Sequence, residues 1–382
     1  IRGINRILVT HGLRVMARNP RPGVRALLEA AKIEKPTAMH CGFVLGPRIN
    51  AAGRLETAKA AYALLVSGDA ETSKKLAHDL EELNTARKAA QESVVMLARQ
   101  QAAEQIPNPR WAELSKVYPA AELGPWPRAL VLASPEGLER PWHEGVLGIA
   151  ASKVVEEFGR PVFILSEKEG SKHILKGSVR SIPKIDILSA ISVESVAKTL
   201  LAFGGHAHAG GVTLERTRLQ EFSEALNEHM ALTTNSEQFH REQRFDAEVE
   251  LSEIDGRLVE ELKQLEPFGH KFPEPVLKIT QANPVDVKIL KEKHLKFRLL
   301  TTKSGGRAVD ALWFNSPLVA SLGKNSSDES FSMWVSPQWN EWQGVKRLQL
   351  FVKHSEVSEA VVAKRLLSSE VTGPQSEAVV AK

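Results

Sequence analysis

Glycine and histidine crowd one short segment of this chain, FGGHAHAGGVTLE at residues 203–215. Four glycines surround two histidines there: Gly204, Gly205, Gly210, Gly211, His206 and His208. Glycine costs roughly 0.5–1 kcal/mol relative to alanine inside regular structure, so the cluster needs a reason. A tight packing turn is one reason, and close approach of backbone N–H groups to a bound anion is another. A metal site at the two histidines is disfavoured because no carboxylate cluster lies near them in sequence.

A hydroxyl and a guanidinium stand two residues apart in KGSVRSIP, at residues 176–183. If this segment is a strand, Ser178 and Arg180 project from the same face. They could then bind one phosphate together, because arginine offers a bidentate fork to phosphate oxygens. An ordinary solvated strand face would show the same pattern, so both interpretations stay open.

Two further segments carry weaker signals. GPRINAAGR, at 46–54, presents Arg48 and Arg54 close to a turn fixed by Pro47, although surface arginines are commonly only solvated. In PWHEGVLGIAA, at 141–151, His143 precedes a predicted helix, where it could meet an anion or serve as a polar cap.

Cations are interleaved with aromatic residues nearer the C-terminus. The predicted groove comprises Lys288, Lys291, Lys293, Lys296 and Arg298, followed by Trp313, Phe314, Trp334, Trp339 and Trp342. A cationic groove with aromatic platforms holds single-stranded nucleic acid without sequence preference, at ~1–3 kcal/mol per stacked base. Phe297 and Trp313 are expected in a hydrophobic core instead.

Two kinds of periodicity must position these residues. Over residues 128–233, buried apolar runs alternate with helical patterns, which predicts an α/β domain with FGGHAHAGG at a junction between helix and strand. From 245 to 355, short segments of period two such as HLKFRLL predict a small antiparallel barrel of OB-fold size. GPRINAAGR is expected in a loop that leads into a helix near Thr57.

One long helix is predicted over residues 73–106, because no glycine or proline interrupts it before Pro107. Its apolar seam consists of Leu76, Leu80, Leu83, Ala90, Val94 and Leu97, and Arg87 fills the one gap in that register. At ~1.5 Å per residue the helix is a rod of ~50 Å, which suits a strut between domains.

Composition limits the class of protein. A chain of 382 residues suits two or three domains, and 42% hydrophobic with 25% charged residues is typical of a soluble globular protein without a membrane span. The single cysteine, Cys41, excludes an intrachain disulfide and a cysteine-based zinc site, and it fits a reducing cytoplasm. The formal net charge of +4 weakly favours an anionic partner.

The order of the motifs resembles the C-terminal two-thirds of the RecJ family, the bacterial 5′→3′ exonucleases specific for single-stranded DNA. The matching segments are GPRINAAGRL, LEELNTARK, WHEGVLGIAASKVVEEFGRPVFILS, KGSVRSIP, FGGHAHAGGVTL and LEPFGHKFPEPVL, and the resemblance covers about residues 1–355. The implied organisation is the C-terminal remnant of a DHH domain over 1–72, a linker helix over 73–106, a DHHA1-like α/β domain over 107–233, an OB-fold-like nucleic-acid-binding domain over 245–355 and a loosely ordered tail over 356–382.

The resemblance also implies roles for individual residues. Those implied to bind DNA in the nuclease cleft are Arg48, His143, Ser178, Arg180, Gly204, Gly205 and His206. Ser178 and Arg180 would bind the 5′ phosphate, and Arg48 would lie beside the scissile region. Single-stranded DNA is the implied partner, a single-strand-binding protein or a helicase is a further one, and the chain is expected to be a cytoplasmic monomer.

The metal ligands of that family are missing from this sequence. Family members cut DNA with two divalent cations, Mn²⁺ or Mg²⁺, held by an Asp-x-Asp, a lone Asp and an Asp-His-His triplet. Neither DHH nor DxD occurs in these 382 residues. The metal-bearing part is therefore expected upstream of Ile1, and the chain itself is expected to bind no metal and to hold DNA without hydrolysing it.

Three functions stay open on the sequence alone. The first is part of a metal-dependent exonuclease that acts in DNA repair and recombination. The second is a nucleic-acid-binding module complete in itself. The third, less favoured, is a DHHA1 protein that acts on tRNA.

Overall fold

The computed structural model describes residues 1–106, 127–240, 242–300, 308–316, 331–342 and 344–357. The chain forms two compact units. One, the larger unit, comprises His11–Arg241, and the other, the smaller unit, comprises Ile1–Thr10 together with Glu242–Lys382.

The first part of the chain is helical. Its elements are α1 (Ile4–Arg18), α2 (Pro22–Ala30), α3 (Ala38–His40), a π-helical turn (Cys41–Leu45), α4 (Gly46–Leu55), α5 (Lys59–Val66) and α6 (Ala70–Gln105). GPRINAAGRL is thus a helix, and the prediction of a loop there was wrong. Proline falls in the first turn of α4, where its missing N–H is tolerated, and Ala51 and Ala52 are fully buried.

Helix α6 is 36 residues long and packs into two hydrophobic clusters. It begins three residues before the predicted start because Asp69 caps it, its Oδ2 accepting from the Thr72 N–H over 2.7 Å. Leu80 packs with α2 and α5, whereas Val94 packs with the sheet described next. Arg87 lies between these two clusters along the helix and is itself buried.

A five-stranded sheet forms the rest of the larger unit. Its strands are β1 (Leu130–Ala133), β2 (Val162–Lys168), β3 (Ser171–Arg180), β4 (Ala202–His206) and β5 (Ala209–Glu215), in the order β1-β2-β3-β5-β4. Only β1 and β2 are parallel. The helices that accompany the sheet are α7 (Glu144–Phe158), α8 (Ile187–Ser192), α9 (Glu194–Ala197) and α10 (Leu219–Thr233).

The two faces of this sheet pack against different helices. Ile164 on one face packs with α6 and α7, whereas Phe163 and Val179 on the other pack with α8, α9 and α10. Strand β4 forms an edge, and all five of its residues are exposed.

FGGHAHAGG forms the β4–β5 hairpin, so its prediction as a junction between helix and strand was wrong. Gly204 pairs with Gly211, and Gly205 pairs with Gly210. The predicted helix ends earlier, at Ala197, because the apolar positions that follow belong to an extended edge strand.

The smaller unit is a barrel. Its elements are β6 (Ala247–Glu248), α11 (Gly256–Gln264), β7 (Leu277–Leu290), β8 (His294–Leu300), β9 (Ala308–Trp313), β10 (Phe331–Trp342) and β11 (Val345–Val357). The strand order is β10-β11-β9-β8-β7-β6, and pairing of β10 with β7 closes the barrel. The pair β9–β11 is parallel, which together with five closed strands gives the OB-fold arrangement. The predicted combination of an α/β domain with a small barrel is confirmed.

Two further features belong to this unit. Strand β10 continues to Trp342 and β11 starts at Val345, so most of the polar segment QWNEWQG lies within β10. The first residues of the chain contribute to this unit. Arg2 donates to the Lys271 carbonyl and Arg6 donates to the Glu266 carbonyl, each at 2.9 Å.

Among the described residues, none of the helices has both the length and the apolar character needed to cross a membrane.

Candidate nucleic-acid interface

The register of β3, β5 and β4 brings several predicted residues to one face of the sheet. Ser178 pairs with Gly211, which pairs with Gly204. Two residues further on, Arg180 pairs with Ala209, which pairs with His206. Because alternate residues share a face, both rows lie on the same side, opposite the core that contains Val179. The structure therefore places a hydroxyl, a guanidinium and an imidazole on the same side of the sheet as Gly204 and Gly211. We call these two glycines the glycine floor.

The glycine floor is open. An added Cβ at Gly204 would meet no atom within 4 Å. Gly205, in contrast, has φ of +146°, and its Cβ would lie 2.4 Å from the Ala209 carbonyl oxygen, so the hairpin requires glycine there. A ligand above Gly204 can thus approach the backbone without a side chain between them.

Helix α7 forms a wall beside this floor. A Cβ at Gly148 would lie 2.7 Å from Arg180 Nη2 and 3.1 Å from Ser178 Oγ. A Cβ at Gly145 would lie 1.9 Å from the carbonyl oxygen of Arg54, at the end of α4. Glycine at these two positions lets β3 and α4 approach the same helix closely. Lys176, the next residue of β3 on this face, forms an ion pair with Glu144 of α7.

Arg180 is half-buried and has no carboxylate partner among the described residues. Its Nη1 donates to its neighbour's carbonyl, Val179 O, at 2.8 Å and lies 3.4 Å from Ser178 Oγ. Burial, and secondarily the positive charge of Arg54, lower the pKa of Arg180. A guanidinium that is partly desolvated and lacks a counterion is suited to bind an anion.

The two predicted histidines lie at the borders of this site. His143 is the N-cap of α7, and its Nδ1 accepts from the Gly145 N–H at 3.1 Å. His206 ends β4, and its Nδ1 lies 3.4 Å from the His208 backbone N–H. Both side chains are exposed, and the other ring nitrogen of each has no hydrogen-bond partner in the described part of the chain.

Arg48 is held elsewhere. Its guanidinium forms an ion pair with Glu81 of α6 and donates to the Val44 carbonyl at 2.8 Å. No contact in the described part of the chain joins it to Ser178 or Arg180. Its role beside the scissile region stays a prediction.

Arg54 also lies beside this site, although its position in the sequence predicts no role for it there. Its Nη1 donates to the Gly145 carbonyl at 3.2 Å, one turn of α7 from the position where Arg180 meets Gly148. The sequence carries one signal for this arrangement, the glycine pair in HEGVLG. Two glycines on one helix face allow two other elements to approach that face closely.

The cations of the predicted groove lie on the β7–β8 hairpin of the smaller unit. Lys288 pairs with Lys296 across the two strands, and Lys291 and Lys293 lie at the turn. All are exposed. Arg298 differs, because it forms an ion pair with Asp286.

The aromatic residues divide into core and surface. Phe297 and Trp313 are buried, as expected, and Trp334 is buried as well, so it is not an open platform. Trp339 donates from Nε1 to Glu260 at 2.7 Å. Phe314 is 53% exposed and stacks on Phe351 at 6.0 Å, which leaves it the clearest stacking surface near the cations. The side chain of Trp342 lies outside the described residues.

A divalent metal finds no ready site in the described part of the chain. No group of three or more histidine, cysteine, aspartate or glutamate side chains comes close enough there to hold a metal ion.

Two family models match the chain in the order of its two folds. The DHHA1 domain model matches residues 130–232, and the RecJ OB domain model matches residues 245–354, together more than half of the chain. The chain belongs to the RecJ family. Its predicted membership is confirmed.

Curated RecJ proteins match nearly the whole chain. "Single-stranded-DNA-specific exonuclease RecJ" of Dickeya dadantii is 31% identical over 355 residues, which are 92% of this chain and 57% of that protein. The RecJ of Haemophilus influenzae is 32% identical over 365 residues, 92% of this chain and 58% of that protein. This chain therefore spans somewhat more than half the length of these relatives.

A solved RecJ structure has the same fold over most of this chain. The crystal structure of RecJ from Thermus thermophilus in complex with Mg²⁺ superposes with a TM-score of 0.71 at 28% identity, covering 94% of this chain and 50% of that one. The same protein in complex with Mn²⁺ gives a TM-score of 0.70, and the match covers 47% of that chain.

Proposed function

We propose that this chain supplies the 5′-end-binding and strand-binding part of a 5′→3′ exonuclease specific for single-stranded DNA. The observation that carries the proposal is the shared face of Ser178, Arg180 and Gly204, where a hydroxyl and an uncompensated guanidinium flank bare backbone. The RecJ proteins of Dickeya dadantii and Haemophilus influenzae are single-stranded-DNA-specific exonucleases, which supports it.

The chemistry of this face favours a terminal phosphate. A 5′ phosphate carries more charge than an internal phosphate and offers several oxygens to a guanidinium fork. Ser178 can donate from its hydroxyl to the same group, since both side chains meet α7 beside Gly148. Gly204 leaves room for the group to lie against the strand.

The strand that follows the 5′ end requires a second surface. Exposed lysines of the β7–β8 hairpin neutralise backbone phosphates, and Phe314 offers a ring for base stacking. Such a surface binds without reading sequence, which suits an enzyme that moves along a strand.

Hydrolysis requires groups that the described residues do not offer. The RecJ of Thermus thermophilus was solved with Mg²⁺ and with Mn²⁺, whereas no described cluster of this chain fits such an ion. We propose that the metals are held by polypeptide outside these residues, and that this chain binds DNA without cutting it. No catalytic step is assigned to its side chains.

The proposed partner is single-stranded DNA, bound by a monomer. A single-strand-binding protein or a helicase as a protein partner, and a cytoplasmic location, are parts of the same proposal.

The test compares Arg180→Ala with the unaltered chain on oligonucleotides that carry a 5′ phosphate or a 5′ hydroxyl. We expect the variant to bind 5′-phosphorylated single strands about tenfold or more weakly, because a charge-assisted contact is lost. Binding of 5′-hydroxyl strands should change much less. Arg99→Ala is the control, since Arg99 is exposed and pairs with Glu157 at 2.5 Å.

Two outcomes would contradict the proposal. Equal losses for both kinds of end would remove Arg180 from the end-binding site. Failure of the unaltered chain to prefer single strands over duplex would remove the proposed function itself.

A further inference from the structure

Arg54 and Arg180 meet the same face of α7, one turn apart. Arg54 lies against Gly145, with its Nη1 donating to that carbonyl at 3.2 Å, and Arg180 lies against Gly148. Residues three apart are neighbours on a helix surface, and their separation along the axis is ~4.5 Å. The two arginines, which come from α4 and β3, are therefore side by side.

Neither Arg54 nor Arg180 has a carboxylate partner among the described residues, whereas four other arginines of the larger unit do. The paired ones in the larger unit are Arg48, Arg99, Arg216 and Arg218. The positive charge of Arg54 adds to burial in lowering the pKa of both Arg180 and Arg87. The fold thus keeps like charges near one another without a counterion, which an approaching polyanion would provide.

We propose that Arg54 binds the first internucleotide phosphate of the strand, next to the terminal phosphate at Ser178 and Arg180. The inference rests on the proposed function. Arg54 is exposed and can touch the ligand.

The test uses 5′-phosphorylated single strands in which one linkage is a neutral methylphosphonate. Placed at the first linkage, it should weaken binding by the unaltered chain about tenfold or more. Placed in the middle of the strand, it should have a much smaller effect. Arg54→Gln should bind the unmodified strand more weakly and should show no further loss from the neutral first linkage, because the partner of that phosphate is already absent.

Two results would overturn the role of Arg54. Arg54→Gln could retain the full sensitivity to the neutral first linkage, so that another group binds this phosphate. Alternatively, Arg54→Gln could lose the preference for a 5′ phosphate over a 5′ hydroxyl, which would assign Arg54 to the terminal phosphate. Both results are distinct from failure of the proposed function, which the unaltered chain and Arg180→Ala report.

Discussion

Glycines that lack a Cβ atom leave the space in which the residues of this site lie. Arg180 can occupy its position because Gly148 lacks a side chain, and the backbone at Gly204 is open because no Cβ covers it. The strand register places Ser178, Arg180 and His206 on one face, and glycines in α7 and β4 leave open space beside them. In the proposed site the polar side chains would bind the ligand, and the glycines would leave the space for it.

Gly148→Ala should therefore weaken ligand binding without destabilising the fold. The variant should be as stable as the unaltered chain or more stable, because alanine is ~1 kcal/mol better than glycine inside a helix. Its methyl group would lie 2.7 Å from Arg180 Nη2, the end of a flexible side chain, which must move away. We expect a severalfold loss of the preference for 5′-phosphorylated strands, measured by binding titration alongside thermal unfolding.

The control for that experiment is Gly12→Ala, which lies in α1 with no atom near its added Cβ. It should gain the same helix propensity without any change in binding. An unaltered end preference in Gly148→Ala would mean that the exact position of the guanidinium does not matter.

At the scale of elements, the edge strand β1 is protected by side-chain amides. Asn227 of α10 accepts from the Ala129 N–H at 2.9 Å and donates to the Ala129 carbonyl at 3.1 Å. Gln101 of α6 does the same at Ala133, at 3.1 and 2.8 Å. These carboxamides take the place of a neighbouring strand, which satisfies the edge and attaches both helices to it.

Replacing Asn227 by leucine should therefore destabilise the larger unit by about 2 kcal/mol or more, because a buried N–H and a buried carbonyl lose their partners. The free energy of unfolding in urea measures this. Gln220→Leu on the same helix is the control, since Gln220 is exposed and bonds Glu224 on the helix surface. A loss no larger than that of the control would show that the edge finds other partners.

Elements with a clear period and a clear end could be predicted from the sequence. Helix α7 is one, because Gly159 closes it at φ of +64°, and β8 is another, because its buried and exposed residues alternate. Strand β7 was missed since Pro284 interrupts it and Asp286 adopts a φ of +53° at a bulge. The β4–β5 hairpin was missed because glycine-rich strands carry no side-chain period.

Part of the candidate site could not be predicted from the sequence. Ser178 and Arg180 could be assigned to one face because they share a strand. Arg54 could not be joined to them, since its contact with Gly145 links residues 91 apart in the chain. Such a contact is created by packing of α4 on α7 and leaves no local pattern.

At the scale of the whole molecule, the two units carry positive charge in different forms. In the larger unit, guanidiniums without described carboxylate partners lie in or near a shaped site. In the smaller unit, lysines are exposed along a hairpin, and Arg298 is already paired with Asp286. The first form suits recognition of one group, and the second suits attraction of a strand at any position.

We therefore expect Lys296→Ala to lower the dependence of binding on salt while leaving the 5′-end preference intact. Each backbone phosphate that loses its cation should reduce the slope of log affinity against log salt by ~0.7 for a single strand. Arg298→Ala should reduce it less, because Asp286 already neutralises part of its charge, so the double variant should fall short of twice that reduction. Titrations at several salt concentrations with 5′-phosphate and 5′-hydroxyl strands measure both quantities, with Lys59→Ala as an exposed control in α5. A changed end preference with an unaltered slope would contradict this division of roles, because the hairpin would then act at the terminus and not along the strand.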